Sequence, residues 1–239
     1  MNKTILVTGA SSGIGRAIAI ACAEKGMKVV LTGRNTVRLN QTRAQMAGDG
    51  HLIVPADLTN AAQRQALAEQ VPILDGVVHC AGIGSRVLCK MLEPNDVRHV
   101  MKVNFEAPIL LQAALLQEKR IALSASIIFI ASSAATMPSV GNAVYSASKA
   151  ALIAYAKCLT LELAPRKIRV NCISPAMVWT DLALVGATEE QLREAEQSYP
   201  LKRYAQPTDI APMAVFLLSD EASWITGSNY ELTGGTQTL

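Results

Sequence analysis

Tyr145 and Lys149 stand four residues apart in "AVYSASKAAL", residues 143–152. On a helix that spacing puts both on one face, about 6 Å apart along the axis. A tyrosine in water titrates near ~10, too high to shuttle protons well at neutral pH. A neighbouring ammonium favours the phenolate and lowers that value. The phenol could then protonate a carbonyl oxygen or deprotonate an alcohol. The same two residues also suit an ordinary helix face, so the pair decides nothing alone. Ser132 adds weight. It ends the apolar run "SIIFIAS", thirteen residues before Tyr145. A hydroxyl at such a strand end can hydrogen-bond a developing alkoxide.

A second constellation works through backbone. "TGASSGIG" (8–15) follows the apolar run "KTILV" and opens a helical stretch. Gly9 would permit a sharp turn off the strand, Gly13 a close approach to a pyrophosphate, and Gly15 tight helix–sheet packing. The unpaired N–H groups of the helix start would face the anion. A merely flexible connection has the same composition, but its place after the first strand argues for a dinucleotide. The second strand ends "LTGRN", with Gly33 and Arg34 where an NAD site carries an acid for the ribose hydroxyls. A guanidinium fork suits a 2′-phosphate by charge and shape. This implies NADP(H) over NAD(H).

Short apolar runs separated by helical stretches must hold these residues. Strands are expected at 3–9, 28–33, 52–57, 75–82, 126–132, 168–175 and 229–235. Helices are expected at about 13–25, in "TVRLNQTRAQM", in "AAQRQALAEQ", through "NFEAPILLQAALLQE" and over 146–164. The alternation implies an α/β fold: one doubly wound parallel sheet of Rossmann type, about seven strands with helices on both faces, spanning 1–239. Half of the 239 residues are apolar and 17% are charged, enough for a large core and against disorder. The net charge of +3 is too small to argue for nucleic acid or a membrane surface. No apolar run approaches the ~20 residues of a membrane span. The opening "MNKTILVTGA" lacks the features of a signal peptide, so a cytoplasmic location is expected. Five scattered cysteines without a CxxC, most in apolar surroundings, read as buried free thiols in a reducing compartment. Three distant histidines offer no metal-ligand spacing, and no metal is expected.

The G-x-x-x-G-x-G spacing of "TGASSGIG", with Ser132, Tyr145 and Lys149 behind it, resembles the short-chain dehydrogenase/reductase family. The resemblance runs from Thr8 to Gly235. It is strongest to the 3-oxoacyl-carrier-protein reductase branch, including "LSDEASWITG" near the end. It implies a catalytic set of Asn104, Ser132, Tyr145 and Lys149, and its thirteen-residue spacing selects Ser132 over Ser133. Asn104 is implied to hold a water that leads to the lysine; a helix-interior Asn bonded to backbone is compatible with that. Implied cofactor contacts in the glycine turn are Ser11, Ser12 and Ile14 beside Gly9, Gly13 and Gly15. Asp57 and Leu58 would lie by the adenine, although Asp57 also suits a helix N-cap. Cys80, Ala81 and Gly82 would border the cofactor, and Tyr145 and Lys149 would meet the nicotinamide ribose. Pro175, Ala176, Val178 and Thr180 would surround the nicotinamide. Some positions depart from the family pattern. His79-Cys80-Ala81-Gly82 stands for Asn-Asn-Ala-Gly, Pro175-Ala176 for Pro-Gly, and Thr233 for an acid before Gly234-Gly235. Ser12 stands where some NADP-using relatives carry a second base. Cys80 cannot make an amide's hydrogen bonds.

The stretch 182–206 is implied to be a small lid over the substrate. Its "TEEQLREAEQ" (188–197) reads as a short helix with a Thr188–Gln191 capping box. Met137, Val140, Met177, Val178 and Leu182 would form an apolar substrate pocket. No cation falls clearly among them, so a small acidic substrate is not expected. Lys119, Arg120, Arg166 and Lys167, at the ends of two long helices, could meet an acidic carrier protein or simply favour the helix macrodipole. The helix over 146–164 is apolar on more than one side, which calls for cover by a second subunit. A homotetramer or homodimer is expected. The expected activity is NADPH-dependent reduction of a small-molecule or carrier-bound ketone, a 3-oxoacyl thioester among them. Two alternatives stay open: an NADP-linked dehydrogenase of a sugar, polyol or secondary-metabolite alcohol, and a catalytically idle NADP-binding scaffold. The intact Ser132, Tyr145 and Lys149 speak against the last.

Overall fold

A computed structural model describes residues 3–137 and 139–236. β1 (Thr4–Thr8) runs into α1 (Gly13–Glu24), β2 (Lys28–Thr32) into α2 (Thr36–Arg43), and β3 (Leu52–Ile53) into α3 (Ala61–Gln70). β4 (Leu74–His79) leads to α4 (Pro94–Met101) and α5 (Ala107–Gln117), and β5 (Ile121–Ile130) to α6 (Ala143–Leu163). β6 (Arg169–Pro175) precedes α7 (Glu189–Glu196) and α8 (Pro207–Leu218), and β7 (Asn229–Leu232) follows them. The strands pair in parallel in the order β3-β2-β1-β4-β5-β6-β7. This is the expected doubly wound sheet. Of the domain expected over 1–239, residues 1–2, 138 and 237–239 lie outside the described residues.

Strands covered on both faces need apolar residues on both. Successive side chains divide between two cores. Leu6, Val30, Val77, Ile127 and Phe129 pack under α3, α5 and α6. Ile5, Val7, Val29, Leu31, Val78 and Ile128 pack under α1 and α8. Strand order reverses between β1 and β4, which opens a crevice at the carboxyl ends of the strands.

The elements differ from the sequence expectation in three instructive places. β3 is only Leu52–Ile53, because Pro55 has no N–H for the ladder. Bonds from Val54 N–H to the Leu31 carbonyl and from Ala56 N–H to the Gly33 carbonyl carry the chain on to Asp57. β5 begins five residues early, at Ile121. Ser124 has φ 58, and the pairing with β4 shifts register there. The helix expected through 104–118 is interrupted by a π turn, Lys102–Glu106. Pro108 has no N–H, so the Asn104 carbonyl has no donor four residues on. Ala107 N–H reaches back instead to Lys102. The cysteines also differ: Cys22 and Cys172 are buried, but Cys89 and Cys158 are exposed.

Candidate active site

β5 ends at Ile130, and its extended backbone delivers Ser132 to the crevice. There Ser132 N-caps a short 3₁₀ turn, its Oγ accepting from Ala134 N–H (3.2 Å). Tyr145 is in the first turn of α6, and Lys149 follows one turn later on the buried side of that helix. Lys149 is 5% exposed and its Nζ donates to the Ile130 carbonyl (2.8 Å). That bond ties the lysine to the strand that carries Ser132. Burial pushes the Lys149 ammonium down to about 8. Tyr145 departs from the expected direction. Burial raises its phenol above the ordinary value, and a hydrogen bond with Ser132 pulls the other way. Lys149 Nζ lies 5.8 Å from the Tyr145 ring centroid, turned toward Ile130. In the protein alone, desolvation sets the direction, and Ser132 is the group that eases ionisation.

Asn104 sits on the π turn, fully buried. Its Oδ1 accepts from Ile83 N–H (2.8 Å), and its Nδ2 donates to the Ile83 carbonyl (3.0 Å) and to Ser148 Oγ (3.2 Å). The side chain is therefore a clamp between the loop after β4 and α6. With the side chain so engaged, the expected water-holding role would fall to the Asn104 backbone carbonyl, which Pro108 leaves without an N–H donor four residues on.

A cleft of about 1240 Å³ runs along the strand ends. Gly9, Ser11, Ser12, Gly13, Ile14 and Gly15 line its floor. Gly9 and Gly13 have left-handed backbone (φ 67 and 53). A methyl group on Gly15 would lie 2.4 Å from the Gly9 carbonyl oxygen, so only glycine lets α1 start here. Ser12 at the α1 N-cap makes no side-chain cap bond, which leaves first-turn N–H groups available. Thr180 reaches across to Gly13: its Cγ2 would be 3.1 Å from an added methyl. Arg34, Asp57 and Leu58 border one end. Asp57 does not cap α3. Asn60 does, accepting from Gln63 N–H. The Asp57 carboxylate accepts from Thr59 N–H (2.9 Å) and Oγ1 (2.8 Å), which hold it below its usual range, with Arg34 adding to the effect. Cys80, Ala81 and Gly82 border the middle, with Pro175, Ala176 and Val178 beyond. The loop at Cys80 does not need an amide side chain. Thr8 Oγ1 accepts from both Cys80 N–H (2.9 Å) and Ala81 N–H (3.0 Å). Thr8 ends β1 and was not singled out in sequence, where a threonine in an apolar strand carries no signal.

Met137, Met177 and Leu182 line the other end as expected, but Val140 does not. It is 76% exposed in the turn that Gly141 (φ 81) makes before α6. The lid helix is α7, with the expected Thr188–Gln191 capping box. Its root is a short ladder: Trp179 N–H donates to the Ala205 carbonyl (2.8 Å) and Ala205 N–H to the Met177 carbonyl (3.0 Å). Arg38, on α2, pairs with Asp181 at the base of the lid (3.3 Å). Arg38, Asp181 and Arg86 also line the cleft. They escaped notice in the sequence because isolated charges near turns look like solvated loop residues.

Comparison with known proteins agrees with this architecture. A family model described as enoyl-(acyl carrier protein) reductase, adh_short_C2, matches residues 9–237. A 3-oxoacyl-(acyl-carrier-protein) reductase FabG of Rickettsia felis is 35% identical, over 98% of this chain and 96% of that one. The chain is a member of the short-chain dehydrogenase/reductase family. An L-xylulose reductase of Caenorhabditis elegans is 33% identical over 98% of this chain and 95% of its own. Among solved structures, an actinorhodin polyketide ketoreductase with NADPH has a TM-score of 0.90 at 28% identity, covering 98% of this chain and 97% of that one. A dehydrogenase/reductase from Sinorhizobium meliloti has a TM-score of 0.90 at 32% identity, covering 98% and 94%.

Short-chain dehydrogenases/reductases are oxidoreductases that bind a nicotinamide cofactor, and this cleft suits one. Its volume exceeds the ~1,000 Å³ upper range of common ligand pockets. Its glycine floor would be closed by a Cβ, and it has uncapped helix N–H groups where a pyrophosphate would lie. No helix of the described residues is long and apolar enough to cross a membrane.

Proposed function

We propose that this protein is an NADPH-dependent ketoreductase that reduces a ketone, a 3-oxoacyl thioester among the candidates, to a secondary alcohol. The observation that carries this reading is the convergence of Ser132, Tyr145 and Lys149 on one wall of the cleft, beside the glycine floor. Gly9, Gly13, Gly15 and the start of α1 would hold the pyrophosphate, and Thr180 and the backbone after Pro175 the nicotinamide end. Arg34, with no acid at the end of β2, is the ground for NADP(H) over NAD(H). When bound, the reduced nicotinamide supplies a hydride to the carbonyl carbon. Ser132 then donates a hydrogen bond to the carbonyl oxygen, and Tyr145 passes its phenolic proton to that oxygen. Burial keeps the Tyr145 phenol protonated at rest, and the hydrogen bond with Ser132 eases its ionisation as the proton leaves. Lys149 steadies the ionised phenol and returns a proton to it.

The carrier-bound form of the substrate has a geometric condition. Arg120 donates to the Glu69 carbonyl (2.6 Å) and Arg166 to the Ile121 carbonyl. Both, with Lys119 and Lys167, precede β5 or β6, at the end of the sheet away from the cleft. A carrier meeting them would not face the mouth of this subunit's own cleft. The proposed homotetramer or homodimer is favoured by the outer side of α6, where Leu161 is 77% exposed, and by Leu110 on α5. A monomer in sedimentation at micromolar concentration would remove that part. The reaction is tested with a panel of ketones and alcohols, including pentuloses and 3-oxoacyl thioesters, followed at the nicotinamide absorbance with NADPH and NADH. Oxidation of NADPH by ketones is expected. Turnover confined to NADH, or to none of the panel, would overturn the reading.

A further inference from the structure

We infer that Arg86 receives an anionic group of the substrate, so that the ketone reduced here carries a carboxylate or a phosphate. This rests on the ketoreductase reading above and narrows it. Arg86 follows the Cys80–Gly82 loop and lies in the wall of the cleft at its substrate end. Its aliphatic stem is clasped on two sides. A methyl group on Gly141 would come within 3.1 Å of Arg86 Cγ, and one on Gly186 within 3.2 Å of Cδ. Both glycines have left-handed backbone, φ 81 and 79, so the turn before α6 and the turn in the lid are each shaped around this side chain. Val87 N–H donates to the Gly141 carbonyl (2.8 Å), which fixes the loop against the start of α6, four residues before Tyr145.

The stem is held and the head is not. Among the described residues the guanidinium has no hydrogen bond and no ion pair. The other cations of the cleft are engaged: Arg38 with Asp181, Lys149 with the Ile130 carbonyl, and Arg34 electrostatically with Asp57. Asp57 and Asp181 are the carboxylates among the described lining residues, so none is left for Arg86. The second basic side chain lining the cleft without such a partner is His99. Arg86 is exposed, so water serves its five donors in the protein alone, and a substrate that displaces that water must supply an acceptor. A carboxylate or phosphate matches the guanidinium by charge and shape. Arg86, four residues beyond the His79–Gly82 motif, is a lining cation that the sequence expectation did not place at this end.

The test uses three substrates that share the acetoacetyl group. Acetoacetate offers a carboxylate, acetoacetyl-coenzyme A offers phosphates on a pantetheine arm, and acetoacetyl-N-acetylcysteamine is neutral. For the wild-type protein, kcat/KM for at least one anionic substrate is expected to exceed that for the neutral thioester by about tenfold or more. Arg86→Ala should remove that ratio, and Arg86→Lys should restore part of it, with NADPH affinity by fluorescence as the check on folding. Which anionic substrate loses its advantage identifies carboxylate or phosphate. A wild-type ratio near one, or a ratio unchanged in Arg86→Ala, overturns the inference. If none of the three is reduced, the ketoreductase reading fails for this acyl group, and calorimetry decides Arg86 separately. Binding of 3-hydroxybutanoate or pantetheine phosphate to the NADPH-loaded protein, lost in Arg86→Ala, supports the inference. No binding, or equal binding in both proteins, overturns it.

Discussion

At the cofactor end of the cleft the walls are backbone, and at the substrate end they are side chains mounted on turns. The glycine floor has no room to vary: a methyl group on Gly15 would lie 2.4 Å from the Gly9 carbonyl oxygen, and Thr8 pins the neighbouring loop through two backbone N–H groups. The substrate end is held by a short backbone ladder at the root of the lid and, beyond it, by side-chain bonds such as those of Glu196 with Trp179 and Arg38 with Asp181. Backbone walls recognise what is common to every turnover, a pyrophosphate and a ribose. Side-chain walls can change with the substrate without disturbing the fold. Ser132, Tyr145 and Lys149 lie where the two meet, and the sharpest break is there. Tyr145→Phe should reduce turnover by about 10³-fold while NADPH affinity, measured by fluorescence, stays within about twofold. Turnover near that of the wild type would show that the junction carries no proton transfer.

The rigid end should also respond to acid first. His79, at the end of β4, is buried, stacks on Phe129 at 4.6 Å and hydrogen-bonds Gln112 (3.0 Å). Burial holds its imidazole down at about 4, from an ordinary 6.5. The unfolded chain therefore binds a proton near 6.5 and the native chain only near 4. Stability contributed by neutral His79 is full above about 6.5 and is lost as pH falls through 4, by up to roughly 3 kcal/mol. His79→Asn should flatten the pH dependence of urea unfolding between 6.5 and 4. An identical slope in both proteins would remove His79 as the cause.

Arg34 gives the next largest effect. Arg34→Asp places a carboxylate where a 2′-phosphate would lie. The NADPH/NADH ratio of kcat/KM should fall by about tenfold or more, with little change in KM for the ketone. An unchanged ratio would sink the NADP(H) assignment and shift attention to Arg38.

How much of this could be read from the sequence follows the same division. The glycine turn was legible because backbone geometry permits few residue types there, whereas Ser132, Tyr145 and Lys149 were read as a set through the family resemblance. The parallel sheet of about seven strands followed from apolar runs that must be covered on both faces. The breaks were less legible. Ser124 with its left-handed backbone, and the π turn that Pro108 imposes above Asn104, act on neighbours that look regular in one dimension. Arg86 at the substrate end was not legible either. Arg86 lies against Gly141 and Gly186, 45 residues apart in sequence, and that neighbourhood exists only in the fold. The direction of the Tyr145 shift was misread for a similar reason, since depth of burial is a property of the assembled fold.

The smallest effect tests whether the two ends are independent. Glu196 closes α7 onto the root of the lid. Its Oε2 accepts from Trp179 Nε1 (2.9 Å) and from Tyr204 N–H (3.2 Å), and these two bonds hold the carboxyl below its usual range, the Trp179 bond most. Arg193 lies over the Trp179 ring, 5.2 Å from its centroid. Glu196→Gln keeps an oxygen that can accept but removes the charge that strengthens both bonds. The root should loosen without unfolding, because the ladder from Met177 to Ala205 is backbone. KM for the ketone should then rise by about two- to fivefold, as expected for weakened hydrogen bonds on an exposed lid, and NADPH affinity should not move. An equal rise in the NADPH dissociation constant would mean that the lid also supports the cofactor end. The most direct route for that coupling is Thr180, one residue beyond Trp179, against Gly13.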